Sequence, residues 1–160
     1  MSNEFALHRE QHLRAPLQEV FPFFANPENL ELLTPKFLHF EIVTPRPIEM
    51  RIGQRIEYRI RLRGLPMKWI SEITAFEPLC RFVDEQIKGP YSMWHHEHRF
   101  IADGDGTRVI DHVRYKVFGG KLIAKLLVEP DLERIFEHRA DVLAKRFGTV
   151  HDHANSAVGV

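Results

Sequence analysis

One stretch constrains this chain more than any other: the apolar-periodic run from about Lys121 to Phe147, the only segment long enough to cover a whole sheet. Leu132, Ile135, Phe136, Arg139, Val142, Leu143 and Phe147 recur at helical spacing, while Glu133, Arg134, Glu137, Asp141 and Lys145 occupy the other faces. A helix with such a stripe has to bury it against a partner. Pro130 interrupts the run, so a lead-in turn or kinked first segment is expected over Lys121 to Glu129, with the main helix starting near Pro130. Gly148 ends it, after Lys145 and Arg146 in the last turn, where cations suit the helix dipole. Arg139 is the one charged member of the stripe, and two roles are open to it. In one it snorkels or pairs with a carboxylate at the core edge; in the other it faces a ligand.

Ahead of this run lie two short helical pieces, after which the period changes to 2. Glu4 to Leu13 reads as a first strand, with Phe5, Leu7, Arg9, Gln11 and Leu13 on one face, and Pro16 ends it. The helical pieces are Leu17 to Phe24, and a second through Leu33 that Asn26-Pro27-Glu28 opens. Strands are then expected over Phe37 to Val43, Gln54 to Arg63, the runs on either side of Glu77-Pro78, Ser92 to Ile101 and Thr107 to Val117. A hairpin at Gly64-Leu65 sets Leu62 opposite Met67, Ile60 opposite Trp69, Tyr58 opposite Ser71 and Ile56 opposite Ile73. A turn at Glu77-Pro78 sets Ile73 opposite Phe82 and Ser71 opposite Asp84. The Asp103-Gly104-Asp105-Gly106 turn pairs Phe100 with Val109, His98 with Asp111, His96 with Val113 and Trp94 with Tyr115. The economical packing is α+β: a curved seven-stranded antiparallel sheet wrapped around the last helix, with two short helices after strand one. Residues 1–148 then make one domain, and 149–160 a short frayed tail.

Charge supplies exclusions. The 22 basic and 22 acidic residues cancel, so the overall balance gives no steering toward nucleic acid or an anionic membrane. Arg55, Arg59, Arg61 and Arg63 share a strand face, but Glu57 sits among them and Glu72 is expected across the hairpin, which fits a solvated sheet face. Cys80 is the single cysteine, in a strand-like run without a metal-ligand neighbour, and reads as a structural thiol. Met1 to Glu10 lacks the basic and apolar regions of a signal peptide, and no run reaches transmembrane length. A cytoplasmic protein without integral membrane association is expected, as a monomer or weak homodimer.

The chemistry lies in what the inner sheet face contains. A sheet packed tightly on a helix presents aliphatic and aromatic groups, yet here Tyr58, Ser71, Asp84, Gln86, Trp94, His96, His98, Asp111 and Tyr115 fall inward. Each polar group among them has to be paired or wet. One solution is a cavity with a few convergent polar groups; the other carries them to solvent at the sheet's edge and ends, with His98 and Asp111 a structural pair. A metal site reads poorly, because a strand turns His95 away from His96 and His98 and leaves Asp111 as third ligand without a fourth. No cofactor is expected either, since neither a nucleophile elbow nor a phosphate loop is present. Acid–base work by His98 with Asp111 is chemically conceivable, a histidine beside a carboxylate in an apolar cleft being tuned for proton transfer.

These features together resemble a known family. The short helices near Pro16 to Leu33, the Leu65-Pro66-Met67-Lys68-Trp69 hairpin, Phe82-Val83-Asp84-Glu85-Gln86 with Gly89-Pro90-Tyr91, Trp94-His95-His96, Gly106-Thr107, Asp111, Tyr115 and Ile135-Phe136 with Arg139 resemble the polyketide cyclase/dehydrase branch of the SRPBCC superfamily. That superfamily includes START lipid-transfer domains and birch-pollen-type plant allergens. The resemblance implies a helix-grip fold with a deep hydrophobic cavity between helix and sheet, used by different members to bind lipids, polyketides or other hydrophobic molecules, and by some for ring closure or dehydration. The expected function is binding of a small hydrophobic or amphipathic ligand, lipid-like or polyketide-like. Tyr58, Trp69, Trp94, Tyr115 and Phe136 would contact it, and His96, His98, Asp111 and Arg139 would orient its polar end. The alternatives are an aromatase/cyclase- or dehydratase-like enzyme using Asp111 and His98, and an interaction module with a vestigial cavity.

Overall fold

A computed structural model describes residues 3–150 of the chain. Strand β1 (Glu4–Leu13) leads into helix α1 (Leu17–Phe24), which Pro16 starts, and a 3-10 turn over Pro27–Asn29 leads into α2 (Leu30–Leu33). Asn26 caps that turn as its side chain predicts, its carbonyl accepting from the Glu28 N–H at 3.1 Å. Six more strands follow: β2 (Glu41–Ile42), β3 (Arg55–Leu62), β4 (Leu65–Glu77), β5 (Arg81–Lys88), β6 (Tyr91–Asp103) and β7 (Gly106–Val117). They form one antiparallel sheet in the order β1-β7-β6-β5-β4-β3-β2. A helical lead-in, α3 (Gly120–Ile123) and a π-helical turn (Ala124–Val128), then enters α4 (Glu129–Phe147) with Pro130 in its first turn. Among the described residues, no helix is long and apolar enough to cross a membrane.

The helix stripe is buried as its spacing requires. Leu132, Phe136, Arg139 and Leu143 face the sheet, and the helix stops at Gly148, whose N–H donates to the Ala144 carbonyl at 2.8 Å. The β6–β7 register is the expected one from Met93 to Asp103, including His98 opposite Asp111 and Trp94 opposite Tyr115, and shifts by one residue between Tyr91 and Met93.

Two other registers differ. The hairpin turns at Arg63-Gly64, not Gly64-Leu65, so Ile60 opposes Met67, Tyr58 opposes Trp69 and Ile56 opposes Ser71. Both central residues have positive φ, 49° and 82°, which suits a primed turn ending on glycine; the other placement would force Leu65 into that region. At the next hairpin, Ile73 opposes Asp84 and Ser71 opposes Gln86, because an irregularity between Ile73 and Ala75 adds a residue and the turn extends to Arg81. Cys80 therefore sits in that turn, exposed, and is no structural thiol of a strand. The expected strand over Phe37 to Val43 contracts to Glu41–Ile42, because Pro35 begins a 3-10 turn and His39 takes a left-handed φ of 46°. Thr149 and Val150 are not frayed: Thr149 bridges Leu13, and the Val150 N–H donates to His12 at 2.9 Å. The rest of the expected tail lies outside the described residues.

The core has two apolar clusters. One gathers Phe21, Phe24, Phe82, Phe100, Val109 and Leu143; the other gathers Trp94, Val113, Tyr115, Leu132 and Phe136. Three elements contribute to both, and each changes character between them: His96 and His98 separate Trp94 from Phe100 on β6, Asp111 separates Val109 from Val113 on β7, and Arg139 separates Phe136 from Leu143 on α4. These four polar residues are buried, so the core is layered as apolar, polar, apolar.

Candidate functional site

Between α4, α2 and the inner sheet face lies a cavity of about 160 Å³. Tyr58, Trp69, Trp94, His96, His98, Phe136 and Arg139 line it, together with Asp84, Ser71, Leu132 and Ile135. Asp111 and Tyr115 do not. Asp111 lies behind the histidines and lines a cleft of about 140 Å³ between β1 and α4, with Gln11 and Arg139. Tyr115 packs in the aromatic layer, its ring stacked on Phe5 at 5.5 Å.

The two ends of the cavity differ. At one end Trp69 stacks on Tyr58 at 5.7 Å and meets Trp94 edge-on at 5.4 Å, an interplanar angle of 88°. The Tyr58 hydroxyl and the Ser71 hydroxyl share a 2.7 Å hydrogen bond. Burial, with the Asp84 charge adding to it, drives the Tyr58 pKa up and keeps the phenol neutral. The Trp69 indole N–H is buried without a hydrogen-bond partner among the described residues.

At the other end the polar residues interlock. Asp111 Oδ1 is approached by His96 Nε2 at 2.7 Å, His98 Nδ1 at 3.3 Å and Arg139 Nη2 at 3.5 Å. On its other side His98 reaches Asp84 Oδ2 at 2.7 Å, and the two imidazoles stack with centroids 3.7 Å apart, Phe82 covering His98 at 4.2 Å. The close partnerships are thus His96 with Asp111 and His98 with Asp84, each a diagonal contact two residues along β6 from the pair that cross-strand register sets opposite. Burial would raise the Asp111 pKa, but the Arg139 charge and the histidine hydrogen bonds hold it well below the usual carboxylate range. The Asp84 carboxyl is likewise lowered against burial, first by the His98 hydrogen bond. Burial and the neighbouring His98 charge depress His96 to about 4 despite its bond to Asp111. Burial also pulls on His98, but hydrogen bonds to Asp111 and Asp84 outweigh it and raise the pKa. Each buried carboxylate thus has a basic partner beside it, Arg139 with His96 at Asp111 and His98 at Asp84, as a buried cluster requires.

Of the two roles left open for Arg139, pairing with a buried carboxylate is the one seen, and the residue also borders the cavity. Asp84 is the residue the sequence reading placed inward but did not join to the histidines. It faces His96 across β5–β6, a register that the Lys88-Gly89-Pro90 connection does not declare through a two-residue turn. On the outer face, Arg55 pairs with Glu72 at 3.0 Å and Lys68 with Glu57 at 2.9 Å, as a solvated face would. Glu97 forms ion pairs with Arg81 and Arg99.

Residues 13–143 match the family described as polyketide cyclase / dehydrase and lipid transport. No curated protein matches the sequence. Among solved structures, the Zhui aromatase/cyclase from Streptomyces sp. R1128 is similar with a TM-score of 0.69 at 14% identity, over 89% of this chain and 93% of that one. A protein from Thermus thermophilus is similar with a TM-score of 0.66 at 19% identity, over 89% of this chain and 99% of that one. The major latex-like protein 151 from Panax ginseng is similar with a TM-score of 0.63 at 12% identity, over 89% of this chain and 99% of that one. At these identities the likeness is one of fold.

Proposed function

The chain belongs to the polyketide cyclase/dehydrase and lipid transport family, and from that premise we propose that it binds a small amphipathic molecule between α4 and the inner sheet face. The observation that carries this reading is the polarity of the cavity itself, aromatic at Tyr58, Trp69 and Trp94 and ionic at Asp84, His96, His98 and Arg139. A ligand with an apolar body and an oxygen-bearing end satisfies both. Size narrows the class: a cavity of about 160 Å³ is of the order that encloses benzene. A single ring or a short acyl chain fits this volume, and a polyketide or a lipid fits only if the cavity widens, as a movement of α2, which lines it through Leu30 and Leu33, would allow. We place this role in one domain, residues 1–148.

Extraction of the protein purified without added ligand, followed by mass spectrometry, tests the reading. An amphipathic molecule carried at near-stoichiometric amount, whose addition to stripped protein raises Tm, is the expected result. Protein that neither carries nor is stabilised by any such molecule would remove the binding role.

One observation favours a second, catalytic reading. His98 lies between two carboxylates and borders the cavity, which supports a reading in which it exchanges a proton with an enolisable carbonyl, as the likeness to an aromatase/cyclase also does. Acid–base terms act in the transition state. Asp84→Asn and Asp111→Asn should then cut turnover of the native ligand by roughly 10²–10⁴-fold while binding persists. Loss of affinity alone, with no product formed by wild type, leaves the protein a binder.

A further inference from the structure

We propose that Asp84, His96 and His98 form a binding site for a divalent transition-metal ion at the polar end of the cavity. All three residues border the cavity, and their donor atoms lie within 4.8 Å of one another. Asp84 Oδ2 is 2.7 Å from His98 Nε2 and 3.9 Å from His96 Nδ1. Two ligands of a tetrahedral ion with bonds of about 2.0–2.1 Å sit about 3.3 Å apart. Opening one of these separations and closing the other, each by about 0.6 Å, brings Asp84 Oδ2 to ligand spacing from both ring nitrogens, which with it lie within 4.8 Å of one another. Rotation of the Asp84 side chain supplies that movement, because Asp84 is the least buried of the three.

What distinguishes this cluster from a chance meeting of titratable groups is the residue behind it. Asp111 Oδ1 hydrogen-bonds His96 Nε2 at 2.7 Å and lies 3.3 Å from His98 Nδ1, which Arg139 Nη2 also approaches at 3.3 Å. A carboxylate in that position fixes the tautomer of a ligating histidine and raises its basicity. With Asp111 accepting from His96 Nε2, His96 Nδ1 turns its lone pair toward Asp84, and the ion takes the place of the proton that His98 Nε2 now shares with Asp84 Oδ2. Arg139 completes the arrangement from α4, its Nη2 3.5 Å from the same oxygen.

The donor set selects the ion. Two imidazoles and one carboxylate are poor ligands for calcium or magnesium, which take oxygen shells, and they suit zinc or ferrous iron with coordination positions left open. Those positions face the cavity. Asp84 and Asp111 against Arg139 leave one negative charge for a divalent ion, so an anionic oxygen on a cavity ligand would complete both coordination and charge. Asp111, the third ligand that cross-strand pairing suggests, stands behind the histidines; the β5–β6 register supplies Asp84 in front of them.

The test uses the full chain stripped with chelator, titrated with Zn(II) by calorimetry and with Co(II) by visible absorption. The expected result is one ion per chain with the cobalt ligand-field bands of a nitrogen–oxygen site. His98→Gln and Asp84→Asn should each weaken binding by more than about 100-fold, and Asp111→Asn by about 10–100-fold at unchanged stoichiometry. His8→Gln, at the surface His8–His112 pair, should leave it unchanged. Absence of binding by wild type, or stoichiometric binding that survives both His98→Gln and Asp84→Asn, would overturn the proposal. Should those variants not fold, Co(II) added to wild type decides the matter by NMR. Paramagnetic broadening of the His96 and His98 ring signals supports the site, and broadening confined to other histidines refutes it.

Discussion

Arg139 holds Asp111 ionised inside the core, and its side chain and that of Asp111 are each less than a tenth exposed. Arg139→Met keeps the length of the side chain and removes the charge, which leaves a buried carboxylate without its strongest counter-ion. The expected cost is about 3–5 kcal/mol of stability, read by urea denaturation. In protein that remains folded, an acidic ligand should bind more weakly by roughly 2–5 kcal/mol and a neutral apolar one almost unchanged; equal loss for both would assign Arg139 to the scaffold alone. Tyr58→Phe makes a smaller change. It removes the 2.7 Å bond to Ser71 without altering the aromatic wall, and should cost about 0.5–1.5 kcal/mol. Much of this layer was readable from parity alone, since alternation puts His96, His98 and Asp111 on one face of β6 and β7. What parity does not contain is which carboxylate meets which imidazole, because that depends on diagonal reach between neighbouring strands and on where β5 begins.

Among the elements, the β3–β4 hairpin shows where pattern reading ends. Moving the turn by one residue shifts the pairing by two, and a shift of two leaves every side chain on the same face. Ile60 opposite Met67 and Ile60 opposite Trp69 are therefore equally good to a test of inner against outer; backbone φ at Arg63 and Gly64 decides between them. Gly64→Ala should destabilise the protein by about 1–2 kcal/mol through that φ, although nothing lies within 4 Å of the added methyl group. No loss of stability in denaturant would mean that the turn does not hold the register. The long helix was the most legible element, because 19 residues of α4 repeat one signal many times over. Leu143→Ala, at a side chain 2% exposed in the same core cluster as Phe24 and Val109, should cost about 2–5 kcal/mol by the same measurement.

At the scale of the whole molecule, a sheet closed over one helix puts its charged layer between two apolar ones, and the cavity opens where that layering is incomplete. The chain ends this arrangement by returning to its start: Arg14 donates its N–H to the Gly148 carbonyl at 3.0 Å, and Val150 pairs with His12. The two indoles, set at right angles in the cavity wall, have a further consequence. The sequence contains two tryptophans, and both border the cavity. The protein's indole emission therefore originates wholly at one place, and its colour follows how wet that place is. A guest that drives water from between Trp69 and Trp94 should move the emission maximum to shorter wavelength, and Trp69→Phe should leave the remaining light from Trp94 still responsive. An emission spectrum indifferent to occupancy would mean that the guest lodges elsewhere.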